Sequence, residues 1–208
     1  MPDEFGDVPS SIDFRSMTDA RNWAATAMAK RPWRTEFFVR IAETLADLAL
    51  TRPSILELGS GPGFLAEHLL RALPGSTYTP LDFSPAMHQI TKDRLGVLAD
   101  RVVFIERDFR TLDWSHDLSM VDAVVTMQAV HELRHKRHAS AFYRAIRPLL
   151  KPRGILLACD HFSGEHGMSN TALFMTPEEH EAAIRDAGFP NVDLLLRTGG
   201  LILFRARD

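Results

Sequence analysis

The chain has 208 residues, of which 45% are hydrophobic and 25% charged, the balance of an ordinary globular domain rather than a disordered or repetitive one. One cysteine, Cys159, excludes an internal disulfide and any multi-thiolate zinc site. A net charge of −3 argues against nucleic acid as the main partner, and no run approaches the roughly 20 apolar residues that a membrane span needs.

The start, Met1-Pro2-Asp3-Glu4, is acidic where a secretory signal is basic, so a cytoplasmic setting is expected. With no repeat or linker, residues 1–208 read as one domain: a helical extension over 1–50 and an α/β core over 51–208. In the extension, Asp13 to Lys30 and Glu36 to Leu50 each read as a helix. The second is amphipathic through Phe37, Phe38, Ile41, Leu45 and Leu48, and is expected on the sheet. The first either covers a ligand cleft or merely packs.

From Ser54 short β-rich runs alternate with helical patterns, which predicts a mostly parallel sheet with helices on both faces. Strand one is Ser54 to Leu58, ending in Gly59-Ser60-Gly61-Pro62-Gly63, and a helix follows with Leu65, Leu69 and Leu73 on one face. Strand two runs from Thr77 to Leu81 and ends at Asp82; Pro80 within it predicts a non-central position or a strand end. Ser84 caps the next helix, with Pro85 at its first position. Strand three is Val102 to Ile105, before Asp108-Phe109. Strand four, Val121 to Met127, holds the continuous apolar run of a strand buried on both faces.

Basic residues from Arg134 to His138 read as a solvated helix start, and Phe142, Tyr143 and Ile146 as its core stripe. Strand five is Ile155 to Cys159, and Thr176 with Glu179 forms a capping box on the last helix. Val192 to Leu196 and Leu201 to Phe204, on either side of Gly199-Gly200, form an antiparallel hairpin that completes seven strands.

Ligands of such sheets bind beyond the carboxyl ends of the strands. The glycine loop lets backbone approach a ligand closely, but Phe64 stands where a dinucleotide fingerprint wants a small residue, which disfavours a nicotinamide oxidoreductase. Asp82 is placed to accept from both hydroxyls of a ribose, and Asp108 from an adenine amine, with Phe109 beside the ring.

These motifs, in this order, resemble the class I S-adenosylmethionine-dependent methyltransferases of the small bacterial methyltransferase-domain type. The resemblance covers Ser54 to Asp208 and rests on Glu57 to Gly63, Asp82, Asp108-Phe109, Asp122 to His131 and Tyr143 to Gly154. It implies a Rossmann-like fold and S-adenosylmethionine as cofactor. It also implies that Gly59, Ser60 and Gly61 flank the methionine moiety, that Asp82 holds the ribose, and that Phe83 and Met87 pack on the nucleoside. Asp108 and Phe109 would hold the adenine, Gln128 would lie near the methionine end, and Glu57 would support the loop. No metal site is expected.

A sulfonium methyl needs an aligned nucleophile, exclusion of water and sometimes a base. His131 and His161, beyond strands four and five, are the candidate catalytic residues; Asp160 adjoins His161, although sequence neighbours usually point apart. His166 and His180 read as solvated. The long connection Phe162 to Met175 is expected to wall the acceptor pocket. Methyl transfer to a small-molecule acceptor is the leading reading. A regulatory module that binds cofactor without turnover is the alternative.

Overall fold

The structure, a computed structural model, describes residues 6–208; the acidic start read above lies outside them. Seven strands form one sheet in the order β3-β2-β1-β4-β5-β7-β6. They are β1 (Ser54–Leu58), β2 (Thr77–Asp82), β3 (Ile105–Glu106), β4 (Val121–Met127), β5 (Leu150–His161), β6 (Asn191–Thr198) and β7 (Leu201–Arg207). The first five pair in parallel, and β7 joins β5 and β6 antiparallel. Chain order reverses between β1 and β4, the switch point beside which such sheets bind ligands.

The helices are α1 (Met17–Lys30), α2 (Arg34–Ala46), α3 (Phe64–Ala72), α4 (Pro85–Leu95), α5 (Ala139–Ile146) and α6 (Pro177–Asp186). Strand side chains alternate between two cores. Leu56, Val124, Leu156 and Phe204 meet α5 and α6, while Ile55, Val125, Leu157 and Leu203 meet α2 and α3. Both faces are dry, which is why the central strands read as continuous apolar runs. The expected caps are present: Ser84 Oγ accepts from Met87 N, and Thr176 Oγ and Glu179 close a reciprocal capping box.

Several strand boundaries differ from expectation: the hairpin strands β6 and β7 run further, to Thr198 and Arg207, and the third and fifth strands are shifted. The third strand is displaced to Ile105–Glu106, with only a bridge from Val102 to Tyr78, because Pro80 offers no N–H to a continuous ladder on that side. β5 begins five residues earlier, at Leu150, and its pairing with β4 shifts register where Arg153 is left-handed. No helix among the described residues is long and apolar enough to cross a membrane.

Candidate active site

A cleft of about 340 Å³ opens at the carboxyl ends of β1, β2, β4 and β5, in the range of small-molecule sites. Its floor is the glycine loop after β1. Gly59 has φ +69°, and a Cβ there would lie 2.4 Å from Ala129 Cβ and 3.2 Å from Phe109, so only glycine fits between them. Gly61 is also left-handed, yet its missing Cβ faces open space. α4 holds the loop from behind: Thr91 Oγ1 donates to Gly61 O at 2.8 Å and Arg94 Nε to Pro62 O at 2.7 Å. Phe64, at the start of α3, borders the cleft with the Arg94 guanidinium 3.9 Å from its ring centroid.

Two buried acids stand beside the loop. Asp82 ends β2 and accepts from Gly61 N at 2.8 Å and Ser84 N at 2.9 Å; burial nonetheless raises its pKa. Glu57 accepts from the Tyr78 hydroxyl at 2.9 Å, and burial pushes its carboxyl up to about 8, so it is mostly protonated at neutral pH. Ser60 is buried in the same lining, and its hydroxyl has no partner. Phe83, Met87 and Phe109 line the cleft as well.

Asp108 lies apart from this main lining. It borders an adjoining cavity shared with Phe83 and Phe109, and both its oxygens accept from Arg110, at 2.9 and 2.6 Å. Although partial burial opposes ionisation, Arg110 holds the Asp108 carboxyl below its ordinary range.

The other end of the cleft is built on β4 and β5. Gln128 follows β4 with φ +57°, an uncommon conformation for a non-glycine residue that is characteristic of functional sites. Its amide nitrogen lies 2.7 Å from His161 Nε2. His161 Nδ1 faces the Gly200 carbonyl at 3.3 Å, which can only accept, so Nδ1 carries the proton and Nε2 accepts from Gln128. Burial depresses His161 to about 4, which keeps this ring neutral.

His131 is different. Its Nδ1 lies 2.6 Å from Asp160 Oδ1, while its backbone N–H donates to Oδ2 at 2.7 Å. Burial alone would raise Asp160, but the facing His131 charge and hydrogen bond hold it at about 2. An ionised carboxylate only accepts, so His131 Nδ1 donates and Nε2 is the basic nitrogen. Burial disfavours the imidazolium, but the charge and hydrogen bond of Asp160 win, and His131 is raised above its ordinary value. Asp160 therefore orients the imidazole of His131, across two neighbouring strands, and takes only the backbone N–H of its sequence neighbour His161. Phe174 packs on both rings, and with Met168 and Leu173 it brings the connection after β5 into the wall of the cleft.

Sequence reasoning missed several lining residues. Residues 10–14 cross the cleft, secured by Arg134, whose Nε and Nη2 each donate at 2.7 Å to the carbonyls of Val8 and Pro9. The Ser84 hydroxyl also donates to Phe14 O. The cluster Arg134 to His138 is thus no solvated helix start: Arg134 is buried, and Lys136 pairs with Glu179 at 2.5 Å. Nor is His180 solvated. It is buried where α6 meets the end of β5, and its Nε2 lies 3.0 Å from His161 O. From the helical extension come Trp23 of α1 and Phe38 of α2, with Arg31 and Arg34 at their junction. No set of three or more metal-ligating side chains occurs among the described residues.

Residues 55–154 match the family model described as "Methyltransferase domain". Over 77 residues the chain is 36% identical to malonyl-[acyl-carrier protein] O-methyltransferase of Magnetococcus marinus, a match covering 36% of this chain and 27% of that protein. Its fold is similar to that of human N-acetylserotonin methyltransferase in complex with SAM (TM-score 0.70, 21% identity, 93% of this chain and 57% of that one). It is also similar to the DhpI–SAH complex (TM-score 0.67, 22% identity, 92% and 94%). The chain thus spans 27% of the curated relative and just over half of the human enzyme. The methyltransferase-domain match over residues 55–154 and the seven-stranded mixed sheet give this chain the Rossmann-like fold of the S-adenosylmethionine-dependent methyltransferases to which it is similar.

Proposed function

We propose that the chain transfers a methyl group from S-adenosylmethionine to a hydroxyl of a small-molecule acceptor, with His131 as the general base. The His131–Asp160 pair, through which a buried carboxylate orients a histidine of the cleft lining, carries this reading. The cofactor fits the residues present. The open space beside Gly61 leaves room for the methionine moiety, Gly59 lets the loop pass close to Ala129 and Phe109, and the orphan hydroxyl of Ser60 supplies a polar contact. Asp82 would hold the ribose hydroxyls, Phe83 and Met87 would pack on the nucleoside, and Asp108 with Phe109 would flank the adenine. When bound, the cofactor supplies a sulfonium methyl, an electrophile that needs no further activation.

The chain's own contribution is then positioning and one proton. Asp160 fixes the His131 tautomer and favours its protonated form, so Nε2 can take a hydroxyl proton as the oxygen becomes nucleophilic. The neutral His161, tied between Gln128 and Gly200, shapes the acceptor side without competing for that proton. Phe174 and Leu173 exclude water from it. A carboxylate acceptor would need no base, which is why a hydroxyl fits better. The net charge of −3 favours a small acceptor over nucleic acid, in a cytoplasmic setting.

The test is incubation with methyl-labelled S-adenosylmethionine and panels of hydroxyl, amine, thiol and carboxyl acceptors. Hydroxyl-dependent release of S-adenosylhomocysteine, lost in His131→Gln, is expected. Cofactor binding with no acceptor-dependent turnover across the panels would favour the regulatory-module reading instead.

A further inference from the structure

The layer between the sheet and the pair α5 and α6 is built of apolar side chains, yet it encloses a cluster of polar groups. Val124, Leu156 and Ala158 enter this layer from β4 and β5, so by strand alternation Thr126 and Asp160 enter it too. Thr126 stands in register with Ala158, one step along the same face from Asp160. Tyr143 packs into the layer from α5. Tyr143 and Thr126 are both completely buried, and among the described residues neither hydroxyl has a hydrogen-bond partner. A buried hydroxyl left without a partner is costly, so each one asks for an explanation.

The Asp160 carboxylate offers one. An ionised carboxylate has about four acceptor positions. Oδ1 of Asp160 accepts from His131 Nδ1 and from His161 N, while Oδ2 accepts from His131 N. Among the described residues this leaves a position on Oδ2 open. Burial, and then the charge of Asp160, raise the Tyr143 hydroxyl, as expected of groups that share one low-dielectric layer. His131, His161 and His180 face the same carboxylate, and of these only His131 is raised. Glu132 and Arg134 act on His131 with opposite signs. Buried waters typically make about three hydrogen bonds with polar groups that lack other partners, and two hydroxyls and a carboxylate supply that number.

We propose that the Tyr143 and Thr126 hydroxyls bind a buried water that donates to Oδ2 of Asp160, which makes Tyr143 a positioning residue for the His131 base. The water accepts from both hydroxyls and gives one hydrogen to the carboxylate. Each carboxylate oxygen is then held by two donors, so Asp160 cannot turn away from His131. The extra donor also draws charge from the carboxylate and so limits how far His131 is raised. This inference rests on the reading of His131 as a base oriented by Asp160.

Tyr143→Phe keeps the ring and removes only the hydroxyl, and Thr126→Val does the same with a β-branched side chain. The test measures the melting temperature of the full chain and the His131 titration by NMR. Each variant should melt about 2–4 °C lower, the worth of one hydrogen bond in a domain of this size. A hydroxyl with no partner gives the opposite sign, because its removal relieves a cost. His131 should titrate higher in Tyr143→Phe, since the Asp160 charge then has one donor fewer. In an Asp160→Asn background the same substitution should leave His131 unmoved, a response that a purely packing role does not produce. The double variant should lose less than the sum of the two single losses, because one water serves both hydroxyls. An unchanged or raised melting temperature in Tyr143→Phe, or a His131 titration that does not move, would overturn the proposal. If wild-type His131 titrated no higher than an ordinary histidine, at about pH 6.5, the pairing with Asp160 would itself fail, a distinct result.

Discussion

Asp160→Asn is the substitution on which the proton-handling half of the mechanism depends. The wild-type carboxylate is fully buried and accepts from His131 Nδ1 at 2.6 Å and from the backbone N–H groups of His131 and His161 at 2.7 Å each. Its pKa of about 2 compares with an unfolded aspartate near 3.9, a gap of roughly two units or about 2–3 kcal/mol. A depressed carboxyl contributes stability above its unfolded pKa and loses it as pH falls through the folded value. Wild type should therefore lose this increment between about pH 4 and pH 2, and the amide variant, with no carboxyl to titrate, should never have it. Urea denaturation at pH 7 should show the variant about 2–3 kcal/mol less stable, with a shallower acid decline than wild type. Histidine NMR should show the His131 titration moving down, since burial is then opposed only by the weaker pull of Glu132. With an acceptor in hand, kcat should fall by about 10²–10⁴, the usual worth of an oriented general base. Unchanged stability together with an unchanged His131 titration would refute the assignment of Asp160 as its partner.

Gly59→Ala forces a left-handed alanine into Ala129 and should destabilise by about 1–3 kcal/mol in thermal denaturation while weakening S-adenosylhomocysteine. Glu57 has a raised folded pKa, so its protonated form is favoured in the native state and wild-type stability should fall as pH rises from about 4 towards 8. Glu57→Gln should flatten that decline and exceed wild type in stability above pH 8, measured by urea denaturation. Arg134→Met removes the donors that hold Val8 and Pro9, so hydrogen exchange over residues 8–14 should accelerate while the central strands keep their protection.

Much of this fold was legible because its signals are local. Ser84-Pro85 and Thr176-Pro177 announce helix starts through side chains that reach only three residues, and the two-faced burial of β4 and β5 is written in their apolar runs. The glycine loop and Asp82 were legible for the same reason: each follows directly on a strand end. What was hidden depends on pairing across the fold. Asp160 and His131 are 29 residues apart and meet only because β4 and β5 align Met127 with Cys159. Arg134 reads as one of several surface cations until residues 8–14 are seen to fold back onto it from more than 120 residues away. His180 is spaced like an exposed helical residue, yet the first turn of α6 packs on the end of β5. Pro80 carried its signal correctly, but the consequence fell on the neighbouring strand, which pairs two residues at the end of the ladder.

The most direct test of the central claim is a calorimetric titration of the purified protein with S-adenosylhomocysteine, with NAD as the control and Asp82→Ala in parallel. Saturable binding of the adenosyl ligand, none of NAD, and a weakened interaction in Asp82→Ala are expected. A ligand at one hundred times its dissociation constant should also add about 2.7 kcal/mol of apparent stability. Folded wild-type protein that fails to bind S-adenosylhomocysteine would contradict the claim that this cleft is a methyl-donor site.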